Sequence, residues 1–274
     1  MRVLVTSIRD PASLTIKQVL IQDYDFRENG ETFDGHPILV NDDRVKLITS
    51  SRDMVQSNHL EDEVPADVYI FCSRHRAESG QPALLVHSTG NLGPDALFGG
   101  DPFSLSICSS SLASAALKCL QKERDERELV EFDVTMEATH HGPTSMNTPL
   151  VFVELGSNET YWTHEDGARA VAAAAIQCTK EPFGRECDIG FGGTHYVSKF
   201  NKLVLENDLQ IGHIAPKYAL NEIPESVIRQ MISRSQAQVK RAVIDWKGTN
   251  MEQREHLLPI LDSLNIESIR AKDL

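Results

Sequence analysis

Histidines dominate the residues of this chain that can do chemistry. His140 and His141 stand side by side, follow a predicted strand and meet a Gly142-Pro143 turn. Imidazole changes charge near neutral pH, so such a pair can accept a proton or ligate a metal. Glu137 lies close enough in sequence to orient one ring, and Glu154 sits inside an apolar run, where an unpaired charge is costly. His195 supplies a third imidazole at the end of Gly190-Phe191-Gly192-Gly193-Thr194. These residues give a candidate catalytic set of His140, His141, His195, Glu137 and Glu154.

A second group suits binding. Arg74, His75 and Arg76 form a cationic triplet in an acidic protein, and the planar guanidinium fits phosphate. Amides of Gly192 and Gly193 are candidates for an oxyanion hole or anion nest, with Thr194 beside them. Phe191 and Tyr196 are candidate stacking platforms for a base. Lys199, His213 and Lys217 follow similar strand ends. The glycine run is neither a dinucleotide fingerprint nor a P-loop, and no G-x-S-x-G elbow or H-E-x-x-H helix occurs. Any metal ligands must therefore come from separate loops.

The elements that must position these residues follow from patterning. Apolar runs at Arg2–Ile8, Val45–Thr49, Val68–Cys72, Ala83–His87, Leu150–Leu155, Asp188–Phe191, Val204–Leu205 and Ala242–Trp246 predict strands. Alternation predicts one more over Leu129–Ala138, with Val130, Phe132, Val134 and Met136 on one face. Helices are predicted over Ser13–Ile21, Ser109–Lys122, Glu165–Gln177, Pro224–Gln238 and Met251–Leu264. Alternating strands and helices imply one α/β domain over 1–274, its mostly parallel or mixed sheet flanked by helices. Polar insertions are expected near 23–44 and 88–104, and ligands bind beyond the carboxyl ends of such strands.

Composition excludes several classes. Apolar residues make up 41% and charged residues 24% of the 274, ordinary globular usage. A net charge of −13 opposes broad, non-specific nucleic-acid binding while allowing a local basic groove. Five cysteines without a C-x-x-C argue against disulfides and zinc ribbons. No run reaches the roughly 18 apolar residues of a membrane span, and no signal-peptide pattern opens the chain. A cytoplasmic location is expected.

The segments SRHRAESGQPALLVHSTGN, MEATHHGPTS, VFVELGSNETYW, GFGGTHYVSKF and GHIAPKYAL together resemble the archaeal- and plant-type D-aminoacyl-tRNA deacylases. The resemblance spans nearly the whole chain. It implies hydrolysis of the ester joining a D-amino acid to tRNA and a zinc cofactor. It also implies a monomer with an α/β core similar to peptidyl-tRNA hydrolases and nucleoside phosphorylases. On that reading His140, His141 and His195 activate water or hold zinc, while Arg74, Arg76, Lys199 and Lys217 hold phosphates of the acceptor end. A nucleoside phosphorylase or nucleosidase, and a non-catalytic RNA-end-binding protein, are the alternatives.

Overall fold

Stretches of β-branched and apolar residues with little polar alternation can be covered on both faces, and here they become the central strands. The computed structural model describes residues 1–274. Its first half contains β1 (Arg2–Ser7), α1 (Pro11–Asp23), β2 (Arg27–Phe33), β3 (His36–Val40), β4 (Lys46–Ser50), α2 (Leu60–Glu63), β5 (Val68–Arg76), β6 (Ala83–His87), β7 (Gly90–Asn91), β8 (Ser104–Leu105), α3 (Ser110–Glu126) and β9 (Asp133–Met136). The second half adds β10 (Leu150–Ser157), α4 (Glu159–Trp162), α5 (Glu165–Lys180), β11 (Glu186–Phe191), α6 (Ser198–Asn207), β12 (Ile211–Ala215), α7 (Glu225–Ser233), β13 (Gln238–Ile244), α8 (Met251–Ser263) and β14 (Glu267–Arg270).

Two main sheets result. The larger is mixed, in the order β2-β3-β4-β1-β5-β10-β6-β9. Its centre, β4-β1-β5-β10, is parallel, whereas β6 runs antiparallel to β10. The smaller sheet, β12-β11-β13-β14, is parallel throughout. One face of the large sheet packs on α1, α3 and α5 through Leu4, Ile70, Val86 and Val153. The same apolar cluster takes in Phe200 and Val204 of α6 and Ile214 of β12. Helices therefore join the two sheets into a continuous core.

Local chemistry sets the helix starts. Asp10 accepts a hydrogen bond from Ser13 N at 2.9 Å and Pro11 follows it, so α1 begins two residues before its apolar pattern. His164 caps α5 through Nδ1, and Asn250 with Gln253 forms a reciprocal capping box on α8.

Several expectations change. Val204–Leu205 is not a strand; both residues lie in α6, whose apolar face packs into the core. Only Asp133–Met136 of the expected Leu129–Ala138 strand pairs, with β6, and Val130 is exposed. β5 runs on through Arg76, so the Arg74-His75-Arg76 triplet is strand rather than loop. The polar stretch near 23–44 is not an open loop but mostly the β2–β3 hairpin at the sheet edge, which turns at Asp34-Gly35. The helix expected over Pro224–Gln238 stops at Ser233, and Gln238 opens β13. All five cysteines are free, four of them buried.

Candidate active site

Strand alternation brings the site together. In β5, Ser73 and His75 point to one face while Arg74 and Arg76 take the other. β10 lies beside β5, and the antiparallel β6 lies beyond it. This geometry places His75, Glu154 and His87 around one point. Ser73 Oγ donates to Glu154 Oε1 at 2.7 Å, His87 Nε2 is 3.4 Å from the same oxygen, and His75 Nδ1 is 3.5 Å from Oε2.

The segment 138–141 then crosses from one sheet to the other. Ala138 N donates to His195 O and Thr139 N to Ile214 O, both at 2.9 Å. Gly90 N donates to His141 O at 2.8 Å. His140 and His141 are fixed at this junction, with ring centroids 4.3 and 4.8 Å from His87 and 4.4 Å from each other. His195 joins from the glycine run, its centroid 4.6 Å from His140. His141 has φ +44°, a left-handed conformation that a non-glycine residue adopts only when its surroundings impose it.

Backbone contacts fix two tautomers. His140 Nδ1 lies 2.8 Å from Ala138 O and His141 Nδ1 2.6 Å from Gly142 O. A carbonyl only accepts, so each Nδ1 carries the proton and each Nε2 keeps its lone pair. Burial, together with neighbouring histidines, drives the His140 pKa well below its usual value. Burial and His87 lower His141 to about 4. Both rings are therefore neutral donors at physiological pH.

His75 and His87 behave oppositely. Burial pulls each down, but Glu154 and Glu137 outweigh it and raise both. Burial would raise Glu154, yet its two histidine partners hold it well below the usual carboxylate range.

The second carboxylate, Glu137, is 2% exposed. His195 Nε2 approaches its Oε1 at 2.9 Å and His75 Nδ1 at 3.5 Å. Neither ring N–H is aimed at it, so both carboxylate oxygens lack a well-directed hydrogen bond. A buried carboxylate left in this way calls for a cation or a proton-handling partner. Two of the donor sets that fit a metal share His140: His87, His140 and His141, and Glu137, His140 and His195. Within each, the donor atoms lie within 4.8 Å of one another. Nitrogen and carboxylate donors of this kind suit zinc.

The cluster forms the floor of a cleft of about 680 Å³, walled by Gly90–Gly93, Leu97, Phe98, Tyr218 and Glu222. His195, with a side chain 32% exposed, reaches furthest into it and lies 3.2 Å from Tyr218 Oη through Nδ1.

A family model described as D-aminoacyl-tRNA deacylase matches residues 62–269, a span that contains every residue of this cleft. The chain belongs to the D-aminoacyl-tRNA deacylase family. It is 33% identical to the D-aminoacyl-tRNA deacylase of Pyrococcus furiosus over 276 residues, covering 98% of this chain and 100% of the relative. Identity to the deacylase of Thermococcus kodakarensis is 34% over 278 residues, with the same coverage. Among solved structures, a conserved protein of unknown function superposes with a TM-score of 0.90 at 27% identity. That match covers 100% of this chain and 96% of the other.

For this member of the deacylase family, the structure places some expected residues elsewhere. Phe191 is fully buried in the core of the smaller sheet, so no base can stack on it. The Gly192 and Gly193 amides already donate to Ala215 O at 2.8 Å and Gly248 O at 3.0 Å, which removes them as oxyanion donors. His213 is fully buried between Thr139 Oγ1 and Ser106 O and supports the crossing segment instead of substrate. His75, expected to bind substrate, is enclosed by the two carboxylates and by Tyr196 Oη at 3.1 Å. Arg74 donates to Arg9 O at 3.0 Å and lies 5.6 Å from the Trp162 ring, on the strand face opposite His75. Arg76, Thr194 and Lys217 are exposed, and Lys199 is half-buried.

Sequence reasoning missed His87, which reads as the last residue of an apolar strand. Its signal was a lone polar residue closing a buried run. Ser73, Phe98 and Tyr218 carried no signal of their own.

The low His141 pKa has a consequence for stability. A histidine whose folded pKa is depressed contributes fully above the unfolded value of 6.5. The contribution is lost as pH falls toward about 4. That interval corresponds to about 3 kcal/mol at most, less wherever cleft water reaches the ring. Urea unfolding of chelator-treated protein should therefore weaken more steeply between these pH values in wild type than in His141→Asn, which tolerates the left-handed backbone. Parallel profiles would show that His141 titrates normally.

Proposed function

We propose that this protein hydrolyses the ester of D-aminoacyl-tRNA, releasing the free D-amino acid and tRNA. The observation that carries the reading is the floor of the cleft. Two neutral imidazoles with free Nε2 atoms stand beside His195, itself backed by a buried carboxylate, in a chain of this family. Ester hydrolysis needs a water deprotonated as it attacks the carbonyl and a ribose oxygen protonated as it leaves.

His195 is the group for proton transfer. It is the histidine most open to the cleft, and Glu137 stabilises the imidazolium that forms when it takes a proton. The proton is therefore taken and returned at the other ring nitrogen, Nδ1, directly or through Tyr218 Oη 3.2 Å away. His87, His140 and His141 would hold zinc, with Glu154 orienting His87 from behind. When bound, zinc supplies Lewis-acid polarisation and acidifies water. Lys217 and Lys199 are the phosphate contacts in this reading, since Arg74 and Arg76 lie on the strand face opposite His75, and Thr194 flanks His195.

We further propose a monomeric enzyme working in the cytoplasm. The monomer rests on the family resemblance, and the compartment on where charged tRNA is used. No helix is long and apolar enough to cross a membrane.

Purified protein should release D-amino acid from charged tRNA at least about 100-fold faster than the matching L-amino acid, a discrimination of about 2.7 kcal/mol. Acid-precipitable label followed over time measures both rates. Equal rates would remove the stereospecific part of the proposal, and no release from either would remove the hydrolase.

A further inference from the structure

We propose that Phe98 and Tyr218 are the aromatic platforms that hold the terminal adenine of the tRNA substrate. This rests on the ester-hydrolysis reading of the cleft and adds to it where the base sits. Leu97, Phe98 and Tyr218 are 86%, 74% and 64% exposed, and all three line the same cleft as His140, His141 and His195. Large apolar side chains exposed together beside a reactive centre mark a binding surface.

The backbone that carries Phe98 is fixed on both sides of it. Its carbonyl accepts from Gly142 N at 3.2 Å, in the same turn that carries His141. Asn91 Nδ2 donates to Gly99 O at 2.9 Å and to Asp101 O at 3.1 Å. A side chain on Gly142 would sit 2.6 Å from Gly99 C and 2.8 Å from Val55 O, so the loop and the histidine turn meet backbone to backbone. Tyr218 is tied from the other direction by its hydroxyl contact with His195.

The occupant follows from covalent geometry. The scissile ester is on the ribose of the terminal nucleotide, and the base is one glycosidic bond away on the same ribose. With the ester at His195, the base must fall within a nucleoside length of it, inside this cleft. Charge agrees: no Lys or Arg lines the cleft, and Asp95 and Glu222 do. Phosphates are therefore excluded, while a neutral base with two apolar faces and an amine donor is accommodated. The platforms differ from those expected from sequence because Phe191 is buried.

The test uses uncharged tRNA with 2-aminopurine in place of the terminal adenine, titrated into zinc-loaded protein. Stacking should quench the fluorescence on binding. Phe98→Ala should abolish most of the quench and weaken binding by about 5- to 150-fold, the range for losing one base–aromatic contact. Phe98→Trp should retain both, and Phe98→Leu, which keeps apolar bulk, should lose the quench. Tyr218→Phe should keep the quench while its proton-transfer contact is lost. Binding by filter retention without any quench, or an unchanged quench in both Phe98→Ala and Tyr218→Ala, overturns the proposal. Deacylation of D-aminoacyl-tRNA by the wild type, measured alongside, keeps the two readings apart. Turnover without quench removes the platform alone, and quench without turnover removes the hydrolase alone.

Discussion

Replacing His140 with alanine is expected to lower single-turnover hydrolysis of D-aminoacyl-tRNA by at least about 100-fold, the lower range for losing a group at the reacting centre, and to abolish zinc uptake at the proposed metal site. His140 belongs to both donor sets, and its Nδ1 contact with Ala138 O leaves Nε2 free. His195→Ala should produce a rate loss of similar size with zinc retained, because His195 handles the proton in this reading. Metal analysis on the same samples used for kinetics separates the two roles. Zinc lost from His195→Ala and kept in His140→Ala would reverse the assignment. Near-normal rates in both folded variants would move the chemistry away from this cluster altogether.

The second large effect is expected at Glu154, and it is on stability. Glu154 is 4% exposed and partnered by Ser73, His75 and His87. Removing one member of a buried charged network strands the others, so Glu154→Ala should cost about 3–5 kcal/mol. Glu154→Gln, which still accepts from Ser73, should cost less. The pH window follows from the shifts. His75 and His87 are raised, so their contribution is full below 6.5 and fades as pH climbs through their folded values. Glu154 is lowered, so its contribution is full above 4.5 and fades as pH falls. The network supports the fold most strongly between 4.5 and 6.5. Urea titrations of chelator-treated protein across this range provide the measurement. An alanine variant within about 1 kcal/mol of wild type would mean that the network does not hold the fold.

The two effects differ in kind because the two residues occupy different depths. His140 lies at the cleft floor, where its loss removes a donor but little packing. Glu154 lies behind it in β10, where every neighbour is protein. One shell of the site reports on rate and the other on stability.

The sequence by itself determined the α/β class and the cores of most strands, because those runs are buried on both faces and need no partner to be recognised. It also singled out the His140-His141 turn, His195 and the two carboxylates, which the fold brings into one cluster. Paired imidazoles and a glutamate in an apolar run are costly unless used. The residues of five ordered motifs likewise carried a resemblance to the family to which the chain belongs. Tertiary structure decided which of these residues meet. His87 gained its role only when the antiparallel pairing of β6 with β10 set it over Glu154. Phe191, Gly192, Gly193 and His213 lost theirs when the smaller sheet buried the side chains and claimed the amides. Phe98 lies in a loop whose course is set by a backbone contact with Gly142. Each of these depends on contacts between residues far apart in the chain, and a local pattern of residue types carries no information about them.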